Sequence, residues 1–375
     1  MFQRNIILFA SLLFVASCQN SNFKTTEKQN AYSFYLGTYT DGESEGIYKL
    51  TMDTAGHIEM LGLAATTNNP SFLAFANHQQ TLLAVNEIRL DNDMGTVESY
   101  QINDSLKLIS RKASGGAHPC FVTANNAGEV LTANYSGGNI GYLQVKKNGE
   151  LSDLLAVQQH KGSGSVVNRQ DRPHAHSVWF QPNSNNIIAV DLGTNELWIS
   201  SIDMASNKFK PAQQAKVSLA HGAGPRHLAF HPNGNFFYVI NELDNTITTF
   251  SISSSKEIKL VANVSTLPAN FEGVSNTADL HISNDGKFLY GSNRGHNSIV
   301  IYEVQKDGAL KLVGHQPTRG DHPRNFSLSP DDKFLLVANK NTNNIVCFER
   351  NSSTGLLTFV DEVKASSPVC ILFEK

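Results

Sequence analysis

Short runs in which apolar and polar residues alternate, each closed by a cluster of Pro, Asn, Asp or Gly, fill the chain beyond residue 31. A period of two marks a strand with one buried face; no stretch sustains the 3.6-residue period of an amphipathic helix. The runs recur as a unit, clearest in Pro225-RHLAFHPNGNFFYVINELDNTITTFSI, Ala278-DLHISNDGKFLYGSNRGHNSIVIYEV and Pro323-RNFSLSPDDKFLLVANKNTNNIVCFER. Each copy holds an alternating run, a turn, an aromatic-rich run ending in Asn-X, a polar turn and another alternating run. A fourth run, opened by Gly-Leu or Gly-Ala-Leu, follows in several copies. Asn183, Asn233 and Asn284, with Gly234 and Gly286, supply turn chemistry. Four strands per unit are predicted.

Anchoring each copy on the residue that begins its first strand gives Pro70, Pro119, Pro173, Pro225, Ala278, Pro323 and Pro368, about 45 to 54 residues apart. That spacing is close to the ~40–50 residues of a four-stranded propeller blade. Seven anchors predict an all-β, seven-bladed β-propeller spanning residues 31–375 as one domain. The ends are offset: Tyr32–Tyr39, Gly46–Met52 and Ile58–Ala65 read as second, third and fourth strands without a first. The final run, Val369–Phe373, supplies it, so the C-terminal strand is expected to join the N-terminal blade and close the ring.

The first eighteen residues follow another pattern. Arg4 precedes an apolar run from Ile6 to Ala16, about the length of a secretory h-region and short of the ~20 residues that span a bilayer. It ends Val15-Ala16-Ser17-Cys18, which resembles the lipobox of bacterial lipoproteins. Lipidation at Cys18 is expected, with residues 19–30 as a tether, and with it an exported, membrane-anchored location facing the periplasm or cell envelope. Cys120, Cys347 and Cys370 each sit in an apolar run without CxxC spacing and read as buried strand residues.

Thirty Lys+Arg against 33 Asp+Glu leave a net charge of −3. That balance excludes a nucleic-acid binder and any strong adsorption to an anionic bilayer beyond the lipid anchor. With 17% charged and 40% hydrophobic residues the chain can bury a large core. It is expected to act as a monomer.

In a propeller the first strand of each blade lines the channel, and the turns at its start and after the second strand share one face. The repeat alignment therefore names neighbours. At the starts of first strands stand Ser71, Cys120, His176, Arg226, Ala278, Arg324 and Val369. After the recurrent Asn of the second strand stand Glu87, Tyr135, Glu242, Arg294 and Lys340, with Tyr39 and Leu192 at looser equivalents. A purely structural repeat fills equivalent positions with interchangeable residues; here they carry imidazole, guanidinium, ammonium and carboxylate. Any one of these residues could simply be half of an ion pair. Together at one mouth they suit a small anionic ligand. His174 and His176, two apart on a strand, share a face but lack a third ligand, so no metal is expected. His322, before Pro323, reads as a turn residue, and His118 and His281 also lie near first-strand starts. GxSxG, GxGxxG and GxxxxGK are absent, leaving no support for a nucleophilic serine, a dinucleotide or a P-loop; no cofactor is expected.

Gly222-AGPRHLAFHPNG, Val239-INELDNTITTF, Ala278-DLHISNDGKFLYGSNR, Gly320-DHPRNFSLSPDDK and the opening Tyr35-LGTYT resemble the seven-bladed lactonase family that includes bacterial 6-phosphogluconolactonase and fungal carboxy-muconate cyclase. The resemblance implies an active site of His176, Arg226, Glu242 and Arg294; Arg324, Glu87 and Lys340 of the same repeat-aligned ring, with neighbouring His174, are expected to contact substrate. It implies a lactonase in which Glu242 or His176 activates water and arginines hold the anionic groups of a sugar lactone. A lactonising cyclase and a non-catalytic binding propeller on the cell envelope are the alternatives. The lipoprotein-like leader departs from the cytosolic members, because a phosphorylated sugar lactone is not an expected periplasmic metabolite.

Overall fold

Twenty-eight strands form seven four-stranded antiparallel sheets in the computed structural model, which describes residues 1–2, 30–103 and 105–374. Cys18, the apolar leader and the tether up to residue 29 lie outside the described residues. No helix occurs among the described residues.

Blades two to seven have as their innermost strands Leu73–Ala76, Pro119–Ala124, Ala175–Phe180, Pro225–Phe230, Asn276–Ile282 and Pro323–Leu328. Blade one takes Asn30–Thr38, Gly46–Asp53 and Ile58–Thr66 from the N-terminal end and its innermost strand, Pro368–Phe373, from the C-terminal end. Phe34 pairs with Phe373, Leu36 with Ile371 and Gly37 with Cys370. The ring is therefore closed as its offset ends predict, and all seven blades have four strands. Two anchors sit one turn early. Pro70 and Pro173 precede the strands at Leu73 and Ala175; Asn69, at φ 43°, turns the chain and its carbonyl takes the Ser71 amide at 2.7 Å.

The sheets stack face to face around the ring, which explains the burial pattern. Second strands such as Thr81–Asn86 and Phe334–Asn339 are buried at every position because a neighbouring blade covers each face. Fourth strands lie on the outside and alternate, as in Ile258–Ser265. Seven hydrophobic clusters follow, one in each seam between blades: Phe288, Tyr290 and Ile301 of blade six, for example, pack on Phe326, Val337 and Phe348 of blade seven. Cys120, Cys347 and Cys370 are free and buried in this packing.

Two local devices aim side chains into one mouth of the channel. The first is a β-bulge at the start of the innermost strands. Pro225 pairs with Asn241 and His227 with Ile240, so Arg226 is the extra residue; the same slip leaves Cys120, His176, Arg324 and Val369 out of their ladders. A bulge bends the strand and re-aims the residue it skips. The second device is the asparagine that ends the second strands. Asn86, Asn134, Asn241 and Asn339 are fully or almost fully buried. Their Nδ2 groups are spent on neighbouring backbone and side-chain oxygens: Asn241 Nδ2 donates to Thr246 and Thr248 Oγ1, Asn134 Nδ2 to Asn139 Oδ1, and Asn339 Nδ2 to the Thr318 carbonyl. The pinned strand end presents the next residue to the channel. Blade four has Asp191 instead, bonded through Oδ2 to buried His160, and its successor Leu192 is core.

Candidate active site

At that mouth a cavity of about 250 Å³ is walled by Glu242, Arg294 and Arg169 on one side and Glu87, Arg324 and Tyr39 on the other, with His176, Cys120 and Tyr135 completing it. Glu242 is the most heavily paired group. Its Oε1 accepts from Arg169 Nη2 at 2.5 Å, and its Oε2 lies 3.1 Å from Arg226 Nε and 3.0 Å from Arg294 Nη2. Burial opposes ionisation of Glu242, yet Arg294, Arg226 and Arg169 hold its carboxyl well below the usual carboxylate range. Burial, with Arg294 and Arg324 nearby, pushes Arg226 down to about 10, so it stays charged at neutral pH.

Glu87 faces the same space with lighter pairing. Tyr39 Oη donates to Glu87 Oε2 at 2.8 Å, and Arg324 Nη2 stands 3.7 Å from that oxygen. The Arg324 guanidinium and the Lys340 ammonium each lie 5.2 Å from the centre of the Tyr39 ring, within cation–π range. Burial, then the charges of Arg226, His227 and Arg324, hold His176 well below the usual histidine range, so its imidazole is neutral. Four guanidiniums, three in the wall and Arg226 behind Glu242, against two carboxylates leave a cationic excess around a small volume. Such a site favours an anionic guest, and its charges interact more strongly than they would in water.

Six of the eight residues expected at the site meet around it, and two differ. His176, Glu242, Arg294, Arg324 and Glu87 line the cavity, and Arg226 supports it from behind. Arg226 is only 2% exposed and also donates to the Ala278 carbonyl, so it orients Glu242 and does not reach into the cavity. His174 lies outside the cavity wall that His176 joins, although both rings pack on Tyr135. It precedes the strand, the bulge breaks the alternation, and its ring stacks on Tyr135 at 4.4 Å beside a different cavity. Lys340 stays outside the cavity wall, over Tyr39. His322 is a turn residue at φ 65°, as expected, and so is His118 at φ 49°. His281 lies at the opposite mouth, hydrogen-bonded to Asp279 at 3.0 Å.

That opposite mouth opens into a larger cavity of about 720 Å³, walled by Phe72, Phe121 and Trp179. Its carboxylate, Asp279, is already spent on His227, His281, Asn325 and the Leu280 amide, leaving little to act on a guest. The smaller mouth, with its arginines and carboxylates, is therefore the candidate site. Among the described residues no three His, Cys, Asp or Glu side chains are grouped to hold a metal ion.

Arg169 was absent from the residues aligned by repeat. It lies between Gln159, which ends blade three, and Ala175, in the longest of the connections between blades. The anchor spacing does not reveal it, because the Pro119–Pro173 interval is close to the next two.

Comparison with known proteins agrees with this architecture. Residues 33–373 match the family described as "Lactonase, 7-bladed beta-propeller". A 6-phosphogluconolactonase of Bacillus subtilis is 36% identical over 91% of this chain and 98% of its own, and one of Formosa agariphila is 34% identical over 86% and 94%. The solved structure of a periplasmic gluconolactonase from Pseudomonas aeruginosa superposes with a TM-score of 0.87 at 32% identity, covering 92% of this chain and 99% of that one.

Proposed function

We propose that this chain, which belongs to the seven-bladed β-propeller lactonase family, hydrolyses the internal ester of a sugar lactone at the arginine-lined mouth. The observation that carries the reading is the convergence of three guanidiniums, two carboxylates and a neutral imidazole on one cavity of about 250 Å³, with the Arg226 guanidinium behind Glu242. The names of the Bacillus and Formosa relatives and of the Pseudomonas structure support lactones as the substrate class.

A lactone is an activated ester, so water needs a base and the carbonyl oxygen needs positive charge as the tetrahedral intermediate forms. Arg294 and Arg324, the guanidiniums that both line the cavity and are held by blade strands, supply that charge. Arg226 fixes Glu242, and neutral His176 holds the water. Glu242 takes the water proton as the oxygen adds to the carbonyl carbon. It returns the proton to the ring oxygen when the carbon–oxygen bond breaks, leaving a hydroxy acid. Acid release from gluconolactone and 6-phosphogluconolactone, followed with a pH indicator against the spontaneous rate, should show acceleration by the protein. No acceleration with either lactone removes the reading.

We also propose that Cys18 carries a lipid that tethers the propeller to the envelope, on the order of basic start, apolar run and Val-Ala-Ser-Cys. Cys18→Ala should leave the membrane fraction or stall in processing; an unchanged membrane fraction with an unlipidated N-terminus refutes the anchor.

A further inference from the structure

A carboxylate ion-paired with three arginines is a weak base, and general-base catalysis is most efficient with a basicity near the working pH. The three partners of Glu242 are not equivalent, however. Arg226 and Arg294 are 2% and 10% exposed in their side chains, and each is also tied to a backbone carbonyl, of Ala278 and Thr277 respectively. They hold one oxygen, Oε2. Arg169 holds the other, Oε1. Its side chain is 37% exposed, it comes from a connection and not from a blade strand, and its further contact is Tyr135 Oη at 3.5 Å.

The stem of Arg169 is nonetheless fixed. Neighbouring Gln170 is fully buried; its Nε2 donates to the Leu192 carbonyl at 2.8 Å and to Asn195 Oδ1 at 3.1 Å, and its Oε1 accepts the amides of Ser165 and Val166. A long side chain on a pinned backbone can exchange partners without moving the loop. There is room for the exchange. A second cavity of about 510 Å³, walled by Ser165, Val166, Arg172 and His174, shares Tyr135 with the first, and the residues on either side of Arg169 line it.

We propose that Arg169 is the receptor for an anionic group at the far end of the substrate, and that its transfer from Glu242 Oε1 to that group frees Glu242 to act as base. The proposal rests on the lactonase reading and adds to it a substrate-triggered step. Arg226 and Arg294 keep the carboxylate in place through Oε2 while Oε1 is released toward the water. A phosphorylated lactone brings its own trigger; a lactone without a second anionic group leaves Glu242 paired. Arg169 thus couples recognition of the phosphate to activation of the base, and it discriminates between the two substrate classes.

The test uses the full chain with Arg169→Gln and Arg169→Lys. By calorimetry, Arg169→Gln should weaken 6-phosphogluconate by about 10- to 100-fold, the loss expected for a charge-assisted contact, and gluconate far less. In turnover, wild type should favour the phosphorylated lactone and be stimulated on the unphosphorylated one by added inorganic phosphate. Arg169→Gln should lose both behaviours, and the acid limb of its kcat/KM profile should move to higher pH because one cation has left Glu242. Arg169→Lys should keep part of the preference. Equal losses on both lactones with an unmoved acid limb, or undiminished binding of 6-phosphogluconate by Arg169→Gln, overturn the proposal. If wild type hydrolyses neither lactone, the lactonase reading fails by itself, and calorimetry still decides whether Arg169 receives the anion.

Discussion

With two oxygens shared among three guanidiniums, Glu242 is tied to the stability of the site as well as to its chemistry. Glu242→Gln keeps the size of the side chain and removes its charge, leaving Arg169, Arg226 and Arg294 uncompensated. Turnover should fall by about 10²- to 10⁴-fold, the usual contribution of a general base. Melting temperature should fall too, because breaking a buried ion pair strands its partner. Affinity for an anionic product should rise, since three cations then lack their carboxylate; a merely misfolded variant would lose it. Wild-type turnover in this variant moves the base role to His176. A second titration belongs to His322, which burial and then Arg294, Arg324 and Lys340 push down to about 4, with Asp321 opposing. A depressed histidine contributes stability that is present above its unfolded value near 6.5 and is lost as pH falls toward 4. The melting temperature should therefore drop across that window. His322→Asn, a residue that tolerates the left-handed backbone there, should flatten part of the drop, and an unchanged slope would exclude His322 as a contributor. Glu242 and Arg294 were legible in the sequence because each follows an asparagine that recurs at the repeat spacing. Arg169 was not, since it has no equivalent in another blade, and nothing local marks it as the third partner of Glu242.

At the scale of the strand, pinned asparagines and bulges decide which side chains meet. The expectation that His174 and His176 would serve one site rested on strict alternation. His174, however, precedes the strand and the bulge between Ala175 and Ser177 re-aims His176, so only His176 joins the cavity wall. A bulge leaves no local mark in a single sequence, because its cause is the pairing with a strand some dozen residues away. The asparagine device makes a comparative prediction. Asn241→Ala and Asn339→Ala each remove a buried amide and strand its acceptors, and each should cost about 1–3 kcal/mol. Asn241 holds the strand end that carries Glu242, whereas Asn339 holds Lys340 outside the cavity wall. Assayed well below both melting points, Asn241→Ala should lose far more lactone hydrolysis than Asn339→Ala. Equal losses would mean that the strand ends act through general stability and not through aim.

At the scale of the whole ring, closure was legible because the unit repeats often enough to show what each end lacks. What the closing strand does beyond pairing was not legible. Ile371 and Phe373 fill the seam between blades seven and one, where Phe373 packs on Phe34 with ring centres 5.1 Å apart, while Cys370 belongs to the seam between blades one and two. The Ile371 amide also donates to Asn325 Oδ1 at 2.7 Å, tying the closing strand to the innermost strand of blade seven. Deleting residues 368–375 therefore removes one strand and opens two seams at once, exposing the edge of Asn30–Thr38 along the channel. In an open solenoid the loss of a terminal repeat trims stability by one interface, but a closed ring has no terminal repeat to lose. The truncated chain should show no cooperative thermal transition and should aggregate through the bare edge. Phe373→Ala provides the graded control: it leaves the strand paired and creates a cavity, so it should lower the melting temperature by the equivalent of about 3–5 kcal/mol while keeping a single transition. A truncated protein that melts cooperatively at the temperature of the full chain would show that the ring is held by its remaining six complete blades, and closure would then be incidental to folding.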